Sequence, residues 1–140
     1  FDIRDRSYQP QRVFGGAHVV SDALDVKDGL LVAASDRPRG QLQCFDLATG
    51  KELRPAIDCS ANLLACRAFG RASRMFCWVA GHKPNTLCCY DLLNESIVTK
   101  VEGFESALCT VDVHPSDPGY VVAGGGDNTV YKVLSSVPKT

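Results

Sequence analysis

An aromatic residue followed by aspartate recurs along the chain at a nearly constant spacing. These pairs, and the apolar pair that continues the series, begin at Phe1, Phe45, Tyr90 and Val133. The intervals are 44, 45 and 43 residues. A fixed period of this length means that one supersecondary unit is used repeatedly and that each unit buries its apolar faces against its neighbours.

Each unit is predicted to consist of short strands. The apolar run Leu30–Ala34 favours a strand buried on both faces, although so short a run is also compatible with a helix. Leu42 and Cys44 alternate with polar neighbours, which is the period of a half-buried strand. Asp46–Lys51 is typical of a hairpin turn, because Asp binds amides ahead of it and Gly50 accepts positive φ.

A period of about 40–45 residues built from short strands is the signature of a β-propeller blade. The chain resembles the WD40-repeat family: Phe45-Asp46 and Tyr90-Asp91 stand where that family has Trp-Asp, and the segment 127–133 resembles its Asp-Gly-Thr-x-x-x-Trp strand. The resemblance implies an all-β fold, a β-propeller segment of about three four-stranded antiparallel blades plus a partial blade. It covers nearly the whole chain.

On this resemblance, residues 1–140 form one partial WD40-like propeller. It divides into a partial blade with an outer strand at Tyr8–Phe14, three blades and a tail: 1–14, 18–57, 59–102, 103–134 and 135–140. Closed propellers have about four to eight blades, so three blades leave an apolar sheet face at each end. We expect the remainder of a longer propeller to cover these faces. Completion by another protein chain, or by a second copy, is the alternative.

The polar network that the family builds in each blade is only partly matched. Asp36 and Asp127 stand at its turn aspartate, and Ser35 lies near its serine position. His18 is displaced by one residue in the alignment, and Gly103-Phe104 replaces the expected Gly-His. The sequence therefore predicts blades that depend more on apolar stacking than on this network.

The seven cysteines lie mostly within apolar strand patterns, and no Cys-x-x-Cys occurs. We expect them to pack as small apolar side chains in a reducing compartment, so the protein is predicted to be intracellular, in the cytoplasm or nucleus. A disulfide framework and a metal site are less favoured, since His18, His82 and His114 have no ligand spacing to the cysteines. Trp78 is predicted to be packed inside a blade rather than exposed as a binding anchor.

Function is predicted from the resemblance, because no nucleophile elbow or metal-binding histidine pair occurs. It implies a non-catalytic protein–protein interaction scaffold, a subunit or segment of a larger assembly, without catalytic residues, cofactor or metal. Membrane and direct nucleic-acid partners are not expected at a net charge of −1 without charge runs. The predicted partner contacts are loop-tip residues at two opposite faces: Arg37, Arg39, His82, Lys83 and Asn85, and then Arg71, Arg74 and His114.

Three other functions stay open at this point. The residues Phe1-Asp2-Ile3-Arg4 resemble the Trp-Asp-x-Arg signature of substrate receptors of cullin-type ubiquitin ligases, in which Arg4 would contact the adaptor. The segment 41–53 is similar to repeats of quinoprotein-type enzyme propellers, which share Asp-x-x-Thr-Gly-Lys. A place in an RNA-containing assembly is the third, through a basic strip of Arg37, Arg39, Arg67, Arg71 and Arg74.

Overall fold

The computed structural model describes residues 4, 10, 12–71 and 73–137, and within them it contains ten strands and no helix. The described residues therefore include no helix that could cross a membrane. The first sheet has the strands β1 Leu24–Lys27, β2 Leu30–Ala34 and β3 Leu42–Asp46. The middle sheet has β4 Asn62–Arg71, β5 Arg74–His82, β6 Thr86–Asp91 and β7 Ser96–Glu102. The third sheet has β8 Leu108–Val113, β9 Tyr120–Gly125 and β10 Val130–Leu134.

All three sheets are antiparallel meanders, in which each strand pairs with the next along the chain. The all-β prediction is confirmed, and so is the open arrangement of three successive sheets. Over the described residues the middle sheet has four strands, and the first and third sheets have three each. In the first sheet, the segment after β3 makes only two isolated bridges, Phe45–Glu52 and Leu42–Ile57. Pro55 lies between them, and a proline has no N–H with which to continue the ladder.

Other boundaries predicted from the sequence stay predictions. The partial blade 1–14 lies mostly outside the described residues, and its described residues 4, 10 and 12–14 are not in a strand. The tail 135–140 is described only to Val137, which is buried against the middle and third sheets. The division into blades at residues 18–57, 59–102 and 103–134 likewise remains a prediction.

The middle sheet is buried on both faces. Residues that alternate along its strands face the first sheet, including Cys66, Val79 and Cys88. The intervening residues, including Trp78 and Leu87, face the third sheet. Trp78 is fully buried, as predicted. Because both faces are covered, these strands read as continuous apolar runs rather than as alternating ones.

The cysteines pack as the sequence predicts. All seven thiols are unbonded, and six of them are buried. Five lie in the apolar cluster between the first and middle sheets: Cys44, Cys59, Cys66, Cys77 and Cys88. Cys109, on β8, is the partly exposed one.

The connections between strands lie at two ends of the sheets. The β2–β3, β5–β6 and β9–β10 connections form one end, here called the upper face. The β1–β2, β4–β5 and β8–β9 connections form the other end, the lower face. The sheets run side by side, since Leu63 N–H at the upper end of β4 donates to the carbonyl of Ser35 at the upper end of β2, at 3.0 Å.

Candidate functional site

The predicted contact residues lie on the two loop faces, and their roles stay predictions. Arg39 and Lys83 are exposed at the upper face, and Arg71, Arg74 and His114 are exposed at the lower face. Arg4 is exposed, but its neighbours 1–3 and 5–9 lie outside the described residues. The structure therefore offers no geometry for the ligase alternative, which remains a prediction.

Three of the predicted contacts at the upper face are held within the chain. The guanidinium of Arg37 donates to the carbonyls of Gly16 and Gly40. Asn85 Nδ2 donates to the carbonyl of Phe104 at 3.0 Å, and His82 contacts Asp36, as described next. These three side chains shape the upper loops, whereas Arg39 and Lys83 present their charges to solvent.

Asp36 is the centre of a polar cluster at the upper face, the Asp36 cluster of His18, Ser35, Asp36, Asn62 and His82. Asn62 Nδ2 donates to Asp36 Oδ1 at 2.7 Å, and His82 Nε2 donates to the same oxygen at 3.1 Å. His18 donates twice, from Nδ1 to the carbonyl of Asp36 at 2.9 Å and from its N–H to Ser35 Oγ at 3.0 Å. The cluster connects the first sheet to the middle sheet, because Asn62 and His82 belong to β4 and β5.

The alignment underestimated this polar network. In the sequence, His18 stands one residue away from the histidine position of the family's repeat. It still contacts Ser35 and Asp36, because it lies in an irregular segment before β1. In the third sheet, Asp127 receives hydrogen bonds from Tyr131 OH at 2.6 Å and from its own loop, where Thr129 N–H donates at 3.2 Å. The aspartate followed four residues later by Tyr131 was the signal in the sequence that could have identified this second cluster.

The Asp36 cluster makes stability depend on pH in the acidic range. Hydrogen bonds from His82 and Asn62 hold the pKa of Asp36 below its ordinary value. The stability from this carboxylate is therefore present above the unfolded pKa of about 3.9 and is lost as pH falls through the lower folded pKa.

We expect Asp36→Asn to lower the urea midpoint of unfolding at pH 7. At pH 3 we expect the difference in midpoint between the original protein and the variant to be smaller by about half or more. Urea titrations of both proteins at the two pH values measure it. Glu105→Gln, at an exposed position before β8, is the control. If Asp36→Asn lowered the urea midpoint equally at both pH values, the Asp36 carboxylate would not be the source of the pH-dependent stability.

A second charged cluster joins the innermost strands of all three sheets. Arg67 on β4 pairs with Asp22, before β1, at 2.9 Å, and with Asp112 on β8 at 3.5 Å. Burial works to lower the pKa of the Arg67 guanidinium, but Asp22 and Asp25 raise it above its ordinary value. This cluster was not predicted from the sequence, although an arginine between Cys66 and Ala68 in an apolar strand was a signal for it.

The basic strip proposed for an RNA-containing assembly is not continuous in the structure. Arg37 and Arg39 lie at the upper face, and Arg71 and Arg74 lie at the lower face. Arg67, between them, is held by carboxylates. Over the described ranges, no three His, Cys, Asp or Glu residues are grouped so that they could hold a metal ion.

Comparison with solved structures identifies the fold. The β-propeller domain of Myceliophteria thermophila Cps50 (Swd1) matches with a TM-score of 0.72 and 16% identity, over 91% of this chain and 39% of that one. The WD40 β-propeller domain of Doa1 matches at 0.62 and 20%, over 81% and 36%. A chain of the mitotic checkpoint complex matches at 0.66 and 12%, also over 81% and 36%.

No protein-family model matches the sequence, and no curated protein matches it. The chain spans 36% to 39% of the length of the three solved chains. At 12% to 20% identity, these likenesses establish the fold alone. The chain therefore has the fold of a WD40-type β-propeller, as an open segment of three antiparallel sheets.

Proposed function

We propose that this chain is part of a non-catalytic protein-interaction scaffold, as a segment or subunit of a larger assembly. The observation that carries the proposal is the outer face of the third sheet, the face turned away from the middle sheet. It exposes four large side chains to solvent: Tyr120 at 45%, Val122 at 43%, Val130 at 75% and Leu134 at 66%. The strand pairing places these residues on one side, since Val130 lies opposite Gly124 and Leu134 opposite Tyr120.

The outer face of the third sheet is suited to packing against another protein surface. Both faces of the middle sheet are packed against neighbouring sheets, so an uncovered sheet face is the exception in this fold. Lys132 lies among these side chains, opposite Val122 and over the ring of Tyr120. Exposed apolar side chains grouped on one sheet face nevertheless mark sites of association. The remainder of a propeller, or a completing partner chain, would bury it.

The scaffold role is supported by the way the sheets hold their loops. Arg37 and the Asp36 cluster fix the upper connections to the sheets, while Arg39 and Lys83 remain exposed beside them. Binding residues are commonly carried on loops that a rigid scaffold positions. One matched structure, that of the mitotic checkpoint complex, is an assembly of proteins.

A photo-crosslinking amino acid placed at Val122, Arg39 or Lys83 tests the proposal in the full protein, expressed in its own cells. We expect Val122 to crosslink to a protein sheet, either elsewhere in the same chain or in a partner, and Arg39 or Lys83 to crosslink to a separate protein. Tryptic mass spectrometry identifies the crosslinked peptides, and unirradiated samples are the control. The absence of protein crosslinks from all three positions would overturn the proposal.

A further inference from the structure

A groove of ≈ 370 Å³ opens on the lower face, between the middle and third sheets. One wall is the end of the β4–β5 hairpin, at Phe69–Arg71, and the other is the segment His114–Pro118 after β8. β4 and β5 are the longest strands of the described chain, with 10 and 9 residues. Both walls belong to sheets that pack on each other here, so the groove forms within the described chain. Residues 112–115 of its second wall also border the outer face of the third sheet.

The groove has a preformed apolar floor. Phe69 is 8% exposed, and its ring stacks on Phe76 with centroids 5.4 Å apart and planes at 19°. Pro118 is buried, Val113 is half-buried, and Pro115 is exposed at the rim. Phenylalanine and proline rings are rigid, so an apolar side chain that enters the groove meets a surface that is already ordered.

The charges around the groove are mostly paired within the chain. Lys27 lies 3.9 Å from Asp28, and Arg67 is paired with Asp22 and Asp112. Arg71 differs, because it is exposed and makes no ion pair with the described part of the chain. Within the described chain, the guanidinium of Arg71 at the rim is therefore a positive charge of the groove that no ion pair compensates.

We propose that this groove binds a short linear segment of a protein partner in which an apolar side chain stands next to an aspartate or glutamate. The apolar side chain packs on Phe69 and Pro118, and the carboxylate accepts a forked pair of hydrogen bonds from Arg71. This inference rests on the proposed scaffold function and names one of its partners by chemistry. A nucleic-acid strand fits less well, because it requires several cations along its backbone, whereas among the described residues that line the groove Arg71 is the cation without an ion pair.

A random 12-residue peptide library displayed on phage tests the groove directly. We expect the folded protein to enrich peptides in which an apolar residue adjoins Asp or Glu. Fluorescence polarisation with the three most enriched peptides should show that Arg71→Glu raises the dissociation constant about tenfold or more. Arg71→Lys keeps the charge without the fork and should have an intermediate effect.

Lys51→Glu is the matched control, because it reverses an exposed positive charge in the turn after β3, outside the lining of the groove, and should leave the dissociation constant unchanged. Circular dichroism melts confirm that all variants are folded. The inference is overturned if no peptide is enriched, if the enriched peptides lack acidic residues, or if Arg71→Glu binds them as well as the original protein does. In each of these cases, crosslinks from Val122, Arg39 or Lys83 would still support the scaffold.

Discussion

Replacing Trp78 with alanine will lower the free energy of unfolding by about 3–5 kcal/mol. Trp78 is fully buried in the cluster between the middle and third sheets. Its removal takes away apolar contact area and leaves a cavity between two sheets that are held together mainly by that cluster. Urea titration followed by circular dichroism near 218 nm measures the change, since the variant lacks the chain's single tryptophan.

The variant Trp78→Phe separates the contribution of side-chain packing to stability from the cost of the buried indole N–H. The Nε1 atom of Trp78 is buried and has no hydrogen-bond acceptor among the described residues. Phenylalanine loses part of the contact area but also removes this unsatisfied donor, so we expect a loss of only about 1–2 kcal/mol. Val130→Ala, at a site 75% exposed, should change stability by less than about 0.5 kcal/mol. A Trp78→Ala loss as small as that of Val130→Ala would contradict the packing of the middle and third sheets.

The seven cysteines will react with iodoacetamide at very different rates in the folded protein. We expect Cys109 to react first and the other six to react at least about a hundredfold more slowly, because alkylation needs an accessible thiolate. Burial raises the pKa of Cys44 to about 11 and that of Cys59 to about 12. A pKa of about 11 leaves roughly one thiol in a thousand ionised at pH 8.

Intact-mass spectrometry over time measures this pattern as the number of added groups per chain. In strong denaturant all seven cysteines should react at similar rates, which provides the reference. Cys109→Ser should abolish the fast phase without changing the slow one. Two or more fast additions to the folded protein would show that the first and middle sheets separate readily, since five thiols lie between them.

The fold was predictable because the periodic pattern that indicates it recurs along the whole sequence. The spacing of 44 and 45 residues between Phe1, Phe45 and Tyr90 persists even though each repeat is degenerate, and stacked sheets impose that spacing on every repeat. The fourth strand of the first sheet was not predictable in the same way. Whether residues 52–57 pair fully or make two bridges depends on the backbone around Pro55, and a periodic pattern contains no information about that backbone.

The polar clusters were less predictable than the fold because they are formed between repeats. Asp36 was identified from its turn position, but its partners Asn62 and His82 lie in the next sheet. Arg67 was considered only as a possible basic-strip residue, since Asp22 and Asp112 are each 45 residues from it in the sequence. A single sequence places residues within a strand, whereas contacts across neighbouring sheets depend on how far each strand is shifted along the next.

The segment before β1 makes the outer face of the first sheet unlike the outer face of the third sheet. Phe14 packs edge-on against Phe45, with ring centroids 5.6 Å apart, on the side of the first sheet that faces away from the middle sheet. A copy stacking its third sheet there would have to displace Phe14, whereas Val130 on the outer face of the third sheet is 75% exposed within the described chain. Head-to-tail contacts that repeat without closing build filaments. The position of Phe14 on the first sheet therefore disfavours an open-ended series of copies joined third sheet to first sheet.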